Sequence, residues 1–184
     1  MRMFVSFICV IFLLSFNTAH AKLTKSKCYK QWCSGIFVQG GTKMLRMGTV
    51  TNIGGENLLF VIDFATDATS FIPSLMIDRG KYRSERPTKN ANIRIDTRVD
   101  TKPIFSNEGV IDDDADTRYI YIGKFSDSNR FINEAIHGST IRMKLYFDDP
   151  VFVSFSLQGF TAAFKRLMSF AEAPDSLYFK LLGR

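Results

Sequence analysis

Cysteine is the first place to look for chemistry in this sequence, and there are three: Cys9, Cys28 and Cys33. Cys28 and Cys33 stand together in KCYKQWCSG with four residues between them. Redox pairs of the thioredoxin kind place two residues between the sulfurs, and a zinc site needs further soft ligands. A disulfide staple is therefore the reading, with a redox pair and a metal site as the alternatives. The loop it closes is short, so its entropic contribution is on the order of 2 kcal/mol.

A second cluster is Asp112-Asp113-Asp114-Ala115-Asp116. Alternate aspartates match the opening of a calcium loop, because hard cations want several carboxylate oxygens. Thr117 then stands where the turn glycine belongs and Gly123 where the bidentate glutamate belongs, so the run reads as an exposed loop between strands. His137 is the one histidine beyond the first 21 residues able to titrate near neutrality. Ser126 and Ser139 lie close in sequence, yet no G-x-S-x-G turn presents a nucleophile. At a helix end before Gly138, His137 fits a charge set against the helix dipole. Glu56, Glu85, Glu108 and Glu134 are the carboxylates from which a hydrolase would draw its pair, and none sits in an apolar stretch. The Gly40-Gly41 and Gly54-Gly55 pairs lack the lysine and the strand–loop–helix setting of a phosphate cradle. No catalytic residue, cofactor or metal is assigned.

What surrounds these residues begins with an address. Residues 1–21 read as a signal peptide: Arg2, an apolar run from Met3 to Leu14, then Ala19-His20-Ala21 with small residues where a signal peptidase needs them. The run is shorter than the roughly 20 residues that span a bilayer. Cleavage after Ala21 would remove Cys9, leave residues 22–184 as one exported domain without a transmembrane segment, and place it in the periplasm or outside the cell. There an isolated cysteine pair oxidises. The chain carries a formal net charge of +6, with Lys22, Lys25, Lys27 and Lys30 its densest basic group. An anionic cell surface or another protein suits that charge. The aromatic and basic signature of a nucleic-acid module is missing, so nucleic acid is not expected as a partner.

Strand periodicity dominates the rest. Ser34–Gln39, Lys43–Thr51 and Asn57–Phe64 read as strands, with a glycine turn at Ile53–Asn57 and a near-continuous apolar run in the last. Phe71–Ile77 is a further strand that Pro73 should demote to an edge or break. Asp78–Asn90 is polar and reads as a solvated excursion. Ala91–Val99 alternates, setting Ile93, Ile95, Thr97 and Val99 against Asn92, Arg94, Asp96 and Arg98. Arg118–Phe125, Thr140–Phe147 and Val151–Leu157 alternate too. Phe152 projects with Ser154 and Ser156 away from the apolar set, to meet a helix or to mark a partner surface. Two amphipathic helices are predicted: Ser128–His137, capped by Ser126, Asp127 or Ser128, and Phe160–Ala171. The fold class is mainly β, an antiparallel sandwich-like single domain with two short helices, one of them C-terminal.

PVFVSFSLQGFTAAFKRL, from Pro150 to Leu167, resembles the strand-then-helix ending of the invasion-associated locus B family of exported bacterial proteins. The matching step is Ser156-Leu157-Gln158-Gly159-Phe160, followed by Thr161-Ala162-Ala163. A similar ending, preceded by an Arg-x-Asp strand like Arg94-Ile95-Asp96, occurs in small periplasmic accessory proteins of type VI secretion systems. Members of the invasion family carry further cysteines in mid-domain; this chain has none after Cys33. The resemblance implies an exported, non-enzymatic β domain acting in host-cell attachment, invasion or envelope assembly. Gly159 and Phe160 become a structural junction, a tight turn and a core anchor. An accessory or blocking factor of a secretion or conjugation system, and an envelope-polymer hydrolase, are the alternatives. Oligomeric state is not legible.

Overall fold

A computed structural model of the 184-residue chain describes residues 21–53, 56–78, 92–113, 117–123, 125 and 127–172. The leader up to His20, including Ala19, lies outside the described residues, as do Arg79–Asn90 of the polar excursion and Asp114 and Asp116 of the acidic run.

The described chain forms ten strands and two helices. The strands are β1 (Lys22–Tyr29), β2 (Trp32–Gln39), β3 (Thr42–Ile53), β4 (Glu56–Phe64), β5 (Phe71–Asp78), β6 (Asn92–Val99), β7 (Phe105–Asp113), β8 (Thr117–Ile122), β9 (Thr140–Leu145) and β10 (Val151–Ser156). Helix α1 (Ser128–His137) precedes β9 and α2 (Phe160–Met168) follows β10. All pair antiparallel in one sheet of order β1-β2-β3-β4-β5-β8-β7-β6-β9-β10. The mainly β, single-domain class read from the periodicity is what the structure has.

The sheet folds over so that its two halves share one core. Phe60 of β4 meets Phe155 of β10 at a ring-centroid distance of 5.3 Å. The helices close the rest of the core with their apolar stripes. Phe131 of α1 stacks on Phe125 at 4.3 Å, and Phe164 of α2 lies 5.7 Å from Phe64 of β4. Each fully buried aromatic contributes roughly 1.5–3 kcal/mol, so this aromatic seam dominates the stability of the fold.

Local chemistry accounts for the joints. Gly40 and Gly41 have φ of +56° and +82°, the pair of left-handed residues a two-residue hairpin needs between Gln39 and Thr42. Asp127, one of the three expected caps, starts α1 by accepting from the Arg130 amide at 2.9 Å.

Two expectations need correction, and two strands carry no sequence assignment. Pro73 neither breaks β5 nor leaves it at an edge: β5 lies between β4 and β8, with Pro73 opposite Ile62. The β5–β8 ladder begins at Ser74, so Pro73 sits just beyond its end, where a missing amide removes little. β1 and β7 were not legible as strands. β1 alternates poorly because it is a lysine-bearing edge with a register shift between Thr24 and Lys27. In β7 the inward position at Gly109 is filled from the neighbouring strand, since a Cβ there would come within 2.5 Å of Ile95 Cδ1. The acidic run is accordingly strand at Asp112 and Asp113 rather than wholly loop.

Candidate functional site

β6, β9 and β10 turn one row of side chains into the core and the other outward. Register carries the outward row across strands: Phe152 faces Lys144, Lys144 faces Asp96, and Asp96 faces Ser106 of β7. The next row runs Ser154, Arg142, Arg98. Tyr146 follows β9 and lies over the same surface beside Arg94. The result is a basic and aromatic face bearing Arg94, Arg98, Arg142 and Lys144, with Asp96 and Glu108 as its acids. Phe152 is 70% exposed, so the structure puts it on this surface and not against the second helix.

The face is internally braced. Arg94 donates through Nε and Nη2 to both Asp96 oxygens at 3.1 Å, Ser106 Oγ donates at 2.7 Å, and Tyr146 Oη at 2.8 Å. Arg94 and Lys144 flank the Tyr146 ring at 4.9 and 4.2 Å, and Lys144 Nζ also lies 5.5 Å from the Phe152 centroid. Cation–ring contacts of this kind hold long side chains in place at small energetic gain. Partial burial pushes the Asp96 carboxyl up, but the hydrogen bonds from Ser106, Arg94 and Tyr146 outweigh it and hold the group below its usual range. A folded-state pKa below the unfolded one adds stability at neutral pH, which is lost as pH falls below about 4. Asp96→Asn should cost about 2 kcal/mol at pH 7, and the gap to the parent should narrow in unfolding titrations at pH 3.

A second constellation lies where β1 and β2 meet the end of β10. The Cys28 and Cys33 sulfurs are at bonding distance, and the two residues are direct cross-strand partners. The hairpin tip beyond them seats on the Ser156–Phe160 step. Trp32 Nε1 donates to the Ser156 carbonyl at 2.8 Å, and the Gln31 amide donates to the Gln158 carbonyl at 3.2 Å. The Trp32 ring, fully buried, meets Phe160 edge-on at 4.8 Å. Gly159 has φ +94°, with the Tyr29 carbonyl pressed against its α-carbon. Residues more than a hundred positions apart in sequence thus form one joint.

The other candidates do not converge. His137 is exposed at the end of α1, and its Nδ1 donates to the Asn133 carbonyl at 2.8 Å. Glu134 pairs with Arg130 at 3.6 Å on α1, while Glu108 is exposed on β7. Ser139 supplies backbone rather than hydroxyl, donating its amide to Asp100 and accepting at its carbonyl from the Leu157 amide. Among the described residues, no three His, Cys, Asp or Glu side chains gather as metal ligands. Alternation exposed Arg94, Asp96 and Phe152 in the sequence, but only register aligns them with Lys144 and Arg142.

No protein-family model matches the chain, and no curated protein sequence matches it significantly. The crystal structure of invasion associated protein B from Bartonella henselae superposes with a TM-score of 0.54 at 15% identity. The match covers 79% of this chain and 96% of that one. What is shared is the fold. The invasion-family resemblance read from the Ser156–Phe160 step therefore stands as a relation of architecture. No described helix is long and apolar enough to cross a membrane.

Proposed function

We propose that the chain is exported and works by binding, with the outer face of β6, β9 and β10 taking a partner protein. The observation that carries this is Phe152, 70% exposed beneath Lys144 and on the same face as Arg142, Arg98 and Arg94. Aromatic and arginine side chains are the types that anchor protein interfaces, and here strand pairing holds them in fixed order before any partner arrives. The cysteine pair at bonding distance supports an oxidising compartment, hence removal of residues 1–21 after Ala21 and residence in the periplasm or beyond. Likeness of fold to an invasion-associated protein supports a role in host interaction or as an envelope accessory.

The test has two arms. Amino-terminal sequencing of the protein from its own envelope fraction should begin at Lys22; a chain beginning at Met1 would overturn export with cleavage. In-cell cross-linking should recover a partner protein whose yield falls at least tenfold with Phe152→Ser and Lys144→Glu together, as removal of an interface anchor requires. Equal yields from parent and variant, or binding to anionic vesicles alone, would remove the protein-partner reading.

A further inference from the structure

From the hydrogen-bond phase of β10 we infer that its outward edge, unpaired among the described residues, is a docking site for an extended acidic segment of a partner protein, added as an eleventh strand. The inference rests on the binding function proposed above and specifies how that partner is held.

The phase of the β9–β10 ladder decides which backbone groups face outward. The Leu157 amide donates to the Ser139 carbonyl at 2.8 Å, which makes Leu157 and Ser139 a hydrogen-bonded pair. Antiparallel pairs alternate, so Phe155, Val153 and Val151 bond to Ile141, Met143 and Leu145. Phe152, Ser154 and Ser156 then direct their amides and carbonyls away from β9. Trp32 Nε1 bonding to the Ser156 carbonyl confirms that direction and closes one end of the row. Among the described residues no strand is hydrogen-bonded to that side of β10, and nothing bonds the Phe152 or Ser154 backbone there.

The two edges of the sheet are built differently. β1 is blunted: it carries Lys22, Lys25 and Lys27, its register shifts between Thr24 and Lys27, Lys25 has φ +50°, and Arg166 Nη2 occupies the Lys25 carbonyl at 2.9 Å. β10, VFVSFS, has no charge and no internal proline, and it pairs with β9 through six consecutive residues without a shift. An uncharged, regular edge is a template for strand addition, in which main-chain bonds give affinity and alternate side chains give specificity.

Charge selects the occupant. Side chains on the outer face of an added strand fall beside Phe152 and Ser154, about 4.8 Å from β10. Lys144 already leans over the Phe152 ring towards the edge, whereas Arg142, opposite Ser154, donates its Nη1 to the Asp100 carbonyl on the far side of β9. A carboxylate on the added strand beside Phe152 meets Lys144. A second copy of this chain, itself net positive, would bring like charge to the same edge.

The probes are a capped peptide alternating glutamate with threonine and its counterpart with lysine in place of glutamate. The purified protein should bind the glutamate peptide and not the lysine peptide, and amide exchange at Phe152 and Ser154 should slow at least tenfold. Ser154→Pro removes an outward amide and leaves the β9 ladder its bonds, and Lys144→Glu reverses the selecting charge; each should weaken the peptide at least tenfold. Should the proline variant fail to fold, exchange in the parent and the Lys144→Glu affinity still decide. Binding without protection of those two amides would overturn strand addition while leaving a binding face on β6, β9 and β10 intact. So would loss of the native partner in Phe152→Ser/Lys144→Glu without any binding of the glutamate peptide. A dimer in sedimentation that Ser154→Pro abolishes would make the second copy the occupant and overturn the acidic one. Failure of the binding function itself shows differently, as a native partner captured equally by parent and face variant.

Discussion

Gly159→Ala should be the most damaging conservative change in this protein, destabilising it by about 4 kcal/mol or more. Two costs combine. At φ +94° an alanine loses about 1–2 kcal/mol to its own Cβ, and that Cβ would overlap the Tyr29 carbonyl oxygen and lie 2.7 Å from its carbon. The obstacle is backbone, tied down beside the Cys28–Cys33 pair and the Gln31–Gln158 hydrogen bond, so no rotamer change relieves it. Gly40→Ala is the matched control. Its φ is +56° and nothing lies within 4 Å of an added Cβ, so it meets the conformational cost alone. At roughly 2–4 °C per kcal/mol for a domain of this size, thermal unfolding should show a fall of about 10 °C or more for Gly159→Ala and a few degrees for Gly40→Ala. The near-ultraviolet signal of Trp32 should be lost with the first and kept with the second. Equal shifts would mean that the joint between the hairpin and the Ser156–Phe160 step yields more easily than its packing indicates.

That joint also shows what the sequence could and could not disclose. Strands with strict alternation, such as β6 and β9, were readable because a half-buried sheet leaves a two-residue rhythm. β1 was not, because an edge strand defends itself with lysines and a bulge, and both erase the rhythm. β7 was not, because Ile95 fills the space above Gly109 and so lets an inward position be glycine. Pro73 misled in the opposite direction: where a ladder stops is a tertiary fact, and a proline's cost depends on it. In the candidate site, Phe152 could be seen to point outward, and Arg94, Asp96 and Arg98 to share a face. Their assembly with Lys144 and Arg142 comes from β6 pairing with β9, a contact across some fifty residues that no local signal encodes. The seating of Trp32 on the Ser156–Phe160 step is more distant still. Only the composition of that step, with glycine before a buried phenylalanine, marked it as a junction.

The pair Arg46 and Asp63 was within reach of the sequence and was missed, and it carries the second large expectation. A hairpin with two residues between Ile53 and Glu56 sets the whole β3–β4 register, and counting back from the turn places Arg46 directly opposite Asp63. Arg46 is 7% exposed; its Nε and Nη2 donate to the two Asp63 oxygens at 2.6 and 2.7 Å, and its guanidinium lies 3.5 Å from the Phe37 ring centroid. A planar fork meeting a carboxylate on one side and an aromatic face on the other suits arginine and not lysine. Arg46→Met keeps most of the volume but leaves the Asp63 carboxylate half-buried without its cation, a change expected to cost about 3–4 kcal/mol. Arg46→Met with Asp63→Leu removes both charges and restores apolar packing between the strands, so the double variant should unfold within about 1 kcal/mol of the parent. The two single variants and the double close a cycle in denaturant unfolding, and the coupling should exceed about 3 kcal/mol, because Asp63→Leu in turn leaves the buried Arg46 charge unpaired by its carboxylate. A double variant as unstable as the sum of its parts would show that the ion pair adds nothing between these strands.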